Sequence, residues 1–399
     1  MSQAGQPALT GNRIGGTLIF PMADLGAVQW VLAVGLSVCA VACGSTTDEP
    51  ADTTETAVGD KDGSEDPKPA PTSKSSVDLP KSGTCGIHSD YAGDDVCIPP
   101  PDPSRGVQIH TGPTDYDDPD DVDQFLLGPG DETTECWYTK APNDEDISYY
   151  GAQYRMRPGS HHLILKRSEA AKADGWHPCP DGLTGAFGGT QKSVEDFPKN
   201  GELAPEDAGF GRKLSGRLQI AAEMHYVNTT DEPLLRENWV NYLFKDEKDI
   251  TTYLSGIALI GGMSMNVAPG EKKIVRQECE STVERRLVSL TGHSHAHSRR
   301  VSAWKISGKE ESLVYESFDW SEPAKLDFNT VTKNPTPDPD SGRSGGHSGL
   351  LVFHPGDTLA WECEIDNDSD RSLHFANAVY TAEMCNLFGS TPTGWSCFR

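Results

Sequence analysis

The chain is short of positive charge. Lysine and arginine number 34 against 60 aspartates and glutamates, a formal balance of −26. Residues 1–43 hold only Arg13 and Asp24, so the rest of the chain carries the imbalance. Nucleic acids and anionic membrane surfaces select basic patches, so neither is an expected partner. No C-x-x-C pair occurs, which weakens a zinc-ribbon or thioredoxin-like reading. No H-E-x-x-H occurs either, so the helix of a zinc peptidase is missing. "GRSGG" at 342–346 matches G-x-S-x-G by letters alone. It lies in a Pro/Gly/Asp/Ser loop (333–349) without the strand-turn-helix context of a nucleophile elbow, so a hydrolase is a remote reading. Long helical periodicity is absent too.

What is present is punctuation. Forty glycines and 28 prolines separate short apolar-polar runs. "ISYYGAQYRMRP" (147–158), "HHLILK" (161–166) and "RLQIAAEMHYVN" (217–228) read as strands. In the last, Leu218, Ile220, Ala222, Met224 and Tyr226 share one face, and Gln219, Ala221, Glu223 and His225 share the other. A second set of strands covers 238–320, and the chain closes with two more. Many short strands with turn signals predict an all-β fold of antiparallel sandwiches or barrels. The length of 399 residues allows two domains of ordinary size. Strands are expected from about Gln124, with the division near 235. That gives a first domain over 124–235 and a second over 236–399.

The N-terminus reads as export. Leu25 to Ala42 is an apolar run of signal-peptide type, ending in "AVAC" and Gly44. This resembles a bacterial lipoprotein box, with residues 1–43 as the signal segment and Cys43 as the lipidated residue. A retained transmembrane anchor is the alternative. Residues 44–83 have almost no large apolar side chains and are expected to be a disordered tether. The expected location is the cell envelope, exported and lipid-anchored, at the outer membrane if the host has one. The anchor would be the only membrane contact.

Eight cysteines follow Cys43: 85, 97, 136, 179, 279, 363, 385 and 397. An even number in an exported chain predicts disulfides, but eight cysteines allow 105 pairings. Cys85 and Cys97 bracket a short loop, read as a small stapled element within 84–123. "TDYDDPDDVD" (114–123) lacks EF-hand spacing and reads as a solvated acidic turn.

"TGHSHAHSRR" (291–300) places His293, His295 and His297 at alternate positions. On a strand they share a face, with neighbours roughly 6.5–7 Å apart. Two such imidazoles can converge on one ion, and three spread over roughly 13 Å cannot easily do so. The stretch therefore predicts two ligands and a neighbour, with a further ligand from elsewhere. His161-His162 and His225 are the other candidates. Neighbours on a regular strand point to opposite faces, so His161 and His162 need a local twist to serve one ion. The Gly159-Ser160 turn permits it.

Taken in order, "HHLIL", "MHYVN", "HSHAHSRRVSAW" and "EMCNLF" resemble the motifs of the copper type II, ascorbate-dependent monooxygenases. That family includes the peptidylglycine α-hydroxylating and dopamine β-monooxygenases. The resemblance covers roughly 120–399. It implies two jelly-roll-like β-sandwich domains and two coppers per chain. One copper would take His161, His162 and His225; the other would take His293, His295 and Met384, the second site being the catalytic one. His297 then falls outside the set. The resemblance also implies disulfides Cys136–Cys179, Cys279–Cys397 and Cys363–Cys385, leaving Cys85–Cys97. Imidazole suits copper and a thioether favours Cu(I). Two one-electron sites match a two-electron hydroxylation of a small organic substrate by O2, with ascorbate or a similar reductant.

The sequence departs from the peptidylglycine enzymes where they grip a carboxylate. Thr291 stands in place of their Arg, Phe388 in place of a Tyr, and Glu223 in place of a Gln, while Asn386 is kept. Asn386 and Glu223 are the candidate substrate contacts. Loss of the Arg removes the grip on an anionic peptide terminus, so peptide amidation is not expected and a neutral or cationic substrate is. Copper binding or buffering without turnover is the main alternative, one that Met263 and Met265 would join. A surface adhesion module with degenerate sites is another. His88, His110, His177, His347, His354 and His374 have no motif support.

Overall fold

The structure, a computed structural model, describes residues 80–196, 209–328 and 351–399. The signal-type run, Cys43, nearly all of the 44–83 tether, and 342–346 with His347 lie outside the described residues. Everything described belongs to one compact unit, Ser75–Arg399. Among the described residues, no helix is long and apolar enough to cross a membrane.

The fold is all-β, built as two jelly-roll-like sandwiches. One sheet of the first sandwich runs in the order Gly106–Thr111, Asn238–Phe244, Ile147–Met156, Phe210–Leu214, Thr252–Tyr253. Val194–Asp196 pairs beside Ile147–Met156. The other sheet runs Gly175–His177, Glu132–Lys140, Gln219–Val227, Ser160–Arg167, Ala186–Thr190. Their inner faces share one core, with Tyr154, Val240 and Tyr242 from one sheet and Leu163, Leu165, Ile220, Ala222, Met224 and Tyr226 from the other. Burying a large apolar side chain of this kind contributes roughly 1.5–3 kcal/mol.

The second sandwich has its own core. One sheet runs Lys325–Asp327, Ser289–Ser294, Cys385–Thr391, Ser255–Gly261, Trp395–Phe398. The other runs Lys272–Glu280, Thr358–Asp366, Ser298–Ser307, Glu310–Ser317. Leu259, Leu290 and Leu387 from the first meet Val301, Trp361 and Ile365 from the second. Met265 belongs to this core, while Met263 is exposed.

Three expectations need correction. Gly106–Thr111 already belongs to the first sandwich, so its strands begin before Gln124 and the 84–123 segment is not separate. The division near 235 falls inside that sandwich, because Asn238–Phe244 returns between Gly106–Thr111 and Ile147–Met156. Thr252–Tyr253 still pairs with Phe210–Gly211, and the second sandwich opens at Ser255. The pairing is also not wholly antiparallel: that short pair, and Ile257–Ile260 with Trp395–Phe398, run parallel.

All four disulfides form as expected: Cys85–Cys97, Cys136–Cys179, Cys279–Cys397 and Cys363–Cys385. They fit an exported protein in an oxidising compartment. Cys97 and Ile98 pack with Trp239, tying the N-terminal staple to the first sandwich. The acidic stretch forms a capped turn, with Asp121 accepting from Thr114 and Asp115.

Candidate metal centre

Alternation along Gln219–Val227 sends Ile220, Ala222, Met224 and Tyr226 into the core. Glu223 and His225 must then face away from it. His225 lies directly across from His162 on Ser160–Arg167, so the two imidazoles share that outer face. The next pair is Tyr226 with Ser160, which leaves His161 as the extra residue of a β-bulge. A bulge bends the strand and re-aims a side chain. Here it brings both adjacent histidines to one side: ring centroids lie 5.4 Å apart for His161–His162, 5.0 Å for His161–His225 and 4.9 Å for His162–His225. Gly159 enables the entry. Its φ is +85°, and a Cβ there would meet Leu234 Cδ1 at 2.6 Å.

In the second sandwich, Ser289–Ser294 pairs with Cys385–Thr391. Thr291 sits opposite Phe388, and His293 opposite Asn386. The pairing closes with Ser294 opposite Cys385, and His295 and Met384 are the next residues beyond it. His293 and Asn386, directly opposed, therefore share one face. Asn386 Nδ2 lies 3.5 Å from Met384 Sδ, and its Oδ1 accepts from Gly261 N–H at 3.3 Å. Beneath them Glu383 is fully buried and accepts from the backbone N–H of His295 (2.5 Å) and Met384 (2.9 Å). Burial pushes its carboxyl up to about 8 against the pull of these amides. His297 turns away: Nδ1 meets Asp368 Oδ1 at 3.0 Å and Nε2 meets the Tyr380 carbonyl at 3.1 Å. Both its ring nitrogens are taken by these contacts.

The two groups of histidines meet. His161 lies 5.1 Å from both His293 and His295, and His162 lies 5.5 Å from His293. His293–His295 is 5.5 Å. The resemblance implied two coppers with separate ligand sets; the described chain instead gathers five imidazoles into one cluster. The cause lies in the ties between the sandwiches. Gln191 Oε1 reaches His293 Nδ1 at 2.9 Å, and Glu132 Oε1 accepts both from His225 Nε2 (2.8 Å) and from Val379 N–H (2.7 Å). Asp196 pairs with Lys325, and Arg212 donates to Ser390 Oγ at 2.7 Å. Burial alone would raise the Asp196 carboxyl, but Lys325 and then Arg212 hold it at about 2.

The donor set fits a soft or borderline cation. His161 Nε2, His162 Nδ1, His225 Nδ1 and both nitrogens of His295 are buried without a hydrogen-bond partner. Buried polar atoms left unpaired are costly, and a metal would satisfy them. Burial, and then the neighbouring imidazoles, hold His161 and His293 well below the usual histidine range. Burial lowers His295 to about 3 and outweighs the opposing pull of Glu223 on His162. Neutral imidazole is the form that ligates. The outer nitrogens are anchored: His162 Nε2 by Glu223 Oε1 (3.2 Å), His225 Nε2 by Glu132, and His293 Nδ1 by Gln191. Such partners fix the tautomer and the ring plane.

Of the two proposed substrate contacts, Glu223 is occupied by His162 and by Lys166 Nζ (2.5 Å), and Asn386 by Met384 and Gly261. Both are engaged by candidate ligand side chains in this arrangement. Phe388 packs edge-on against His293 at 5.9 Å, and Trp320 lies 6.1 Å from His161. Sequence reading did not find Gln191, Glu132, Glu383 or Trp320. Glu383 is the first residue of the "EMCNLF" motif, a signal available for it; "GGTQKS" around Gln191 offers none. His110 bonds Glu237 and His177 bonds the Ala173 carbonyl, away from the chamber.

No protein-family profile matches this chain, and no curated protein matches it. Among solved structures, the crystal structure of the STIV MCP is 7% identical, with a TM-score of 0.27, covering 72% of this chain and 97% of that one. The structure of infectious bursal disease virus Gx strain is 8% identical, with a TM-score of 0.12, covering 73% of this chain and 77% of that one. At these scores neither likeness bears on function.

Proposed function

We propose that the chain is a copper-dependent monooxygenase that hydroxylates a C–H bond of a small organic substrate, using O2 and a one-electron reductant such as ascorbate. One observation carries the reading: five buried imidazoles gather in one cluster, and four of them keep a ring nitrogen without a hydrogen-bond partner. Bound there, copper would supply one-electron redox chemistry between its +1 and +2 states, with Met384 favouring the reduced ion. His161, His162 and His225, and His293, His295 and Met384, are the residues that would hold it.

The chain's own groups do the rest. Glu223, Glu132 and Gln191 hold three imidazoles in the tautomer that leaves an inner lone pair free. Asn386 restrains the Met384 thioether. Burial of the chamber excludes bulk water. Overall, C–H becomes C–OH, the second oxygen atom leaves as water, and the reductant and solvent supply two electrons and two protons. Thr291 and Phe388 stand opposite each other on this face, and Lys325, across from Thr291, is already paired with Asp196 and Asp327, so peptide amidation is not the proposed reaction. Anchorage to the envelope through lipidated Cys43 belongs to the same proposal.

Copper holding without turnover is the second reading. It is favoured by the closeness of all five rings, which removes the separation expected of two independent redox sites. Copper titration of the full-length protein tests the shared premise. Two equivalents per chain are expected, and a protein that binds none rules out both readings.

A further inference from the structure

We infer that His161, His162 and His293 form a single cation site shared by the two sandwiches, so that one ion fastens them together. The inference rests on the proposed metal-binding role but departs from a division of ligands by sandwich.

Each of the three residues offers a ring nitrogen within 4.8 Å of the other two. With metal–nitrogen bonds of about 2 Å, ligand nitrogens around a tetrahedral ion stand about 3.3 Å apart. The trio therefore needs to contract by up to about 1.5 Å, a shift that rotation of the imidazoles can supply. The lone pairs are available. His161 Nε2 and His162 Nδ1 are buried without a partner. His293 commits Nδ1 to Gln191, which leaves Nε2 for the ion. Gln191 belongs to the first sandwich and His293 to the second, so the hydrogen bond that sets the tautomer already spans the junction. The Gln191 amide also donates to the Trp320 carbonyl at 2.5 Å, which fixes it from the second sandwich as well. Two histidines from one side and one from the other, each buried, form an all-imidazole set of the kind that takes copper or zinc.

The test is a copper(I) competition titration against a chromophoric chelator, on the full-length protein in detergent. His161→Gln and His293→Gln should each weaken the first equivalent at least about 100-fold, beyond the 10–100-fold typical of outer partners, whereas His177→Gln, outside the cluster, should leave it unchanged. If His225→Gln and His161→Gln abolish the first equivalent and His293→Gln leaves it intact, the ion belongs to one sandwich. The shared site is then overturned while the copper reading stands. If the wild type binds no copper, both fall. A second measurement needs no variant. One equivalent of copper(I) should slow amide hydrogen exchange in Ser160–Arg167 and Ser289–Ser294 together, and slowing confined to one of these strands would overturn the shared site.

Discussion

Gln191 Oε1 lies 2.9 Å from His293 Nδ1, joining residues 102 positions apart and in different sandwiches. This bond orients the His293 imidazole and links the two sandwiches at the histidine cluster. Replacing Gln191 by Leu keeps the bulk and removes the bond. Copper affinity is expected to fall about 10–100-fold, the usual cost of losing an outer partner. The fold should survive, because Gln191 lies outside both cores. Copper competition alongside a thermal melt checks the two halves of this expectation.

The Asp196–Lys325 pair makes stability depend on acid. Asp196 is held at about 2, below the roughly 3.9 of an unfolded aspartate. A depressed carboxyl contributes stability that is present above the unfolded value and lost as pH falls through the folded one. The window is therefore about pH 4 down to 2. Breaking a fully buried pair costs about 3–5 kcal/mol. With 26% of the Asp196 side chain exposed, Lys325→Met should cost less, about 2 kcal/mol at neutral pH. Urea unfolding of both proteins across pH, compared as a difference, should converge below pH 4. A constant difference down to pH 2 would assign the loss to something other than this charge.

Gly159 sets the bulge that turns His161. At φ +85°, an added Cβ is strained and meets Leu234. Gly159→Ala is expected to lose about 1–3 kcal/mol of stability. It should also weaken copper binding, because His161 is the displaced residue of the bulge. A variant that is less stable but binds copper normally would separate the turn from the site.

Legibility stopped where pairing became non-local. The inward face of 217–228 was readable because alternation is a local pattern, and it placed Glu223 and His225 correctly on the outer face. The twist at His161 was anticipated as a need, but the bulge that meets it arises from pairing with Tyr226, 65 positions on and on another strand. The domain division near 235 failed for the same reason. Asn238–Phe244 looks like the start of something new, yet it pairs with Gly106–Thr111 and Ile147–Met156. Alternation tells which side of a strand is apolar and says nothing about its neighbours. The merging of two histidine groups into one chamber depends on Gln191, Glu132 and Asp196, none of which sits in a recognisable pattern.

The Cys363–Cys385 disulfide ties the residue next to Met384 to Thr358–Asp366. Replacing both cysteines by serine should cost about 2–5 kcal/mol. Oxygen uptake should suffer more than copper content, because the thioether loses its support while the imidazoles keep theirs. Unfolding curves and metal analysis of the same preparation check this ordering.

The central claim is that the chamber does redox work with copper. The most direct measurement is ascorbate-driven O2 uptake by the full-length protein, copper-loaded and dialysed free of loose metal, beside Met384→Ala treated in the same way. The account predicts sustained uptake by the wild type. It predicts a variant that still holds copper on its imidazoles yet consumes oxygen at the level of a blank. Equal uptake by the two, or a wild type no faster than the blank, would contradict it.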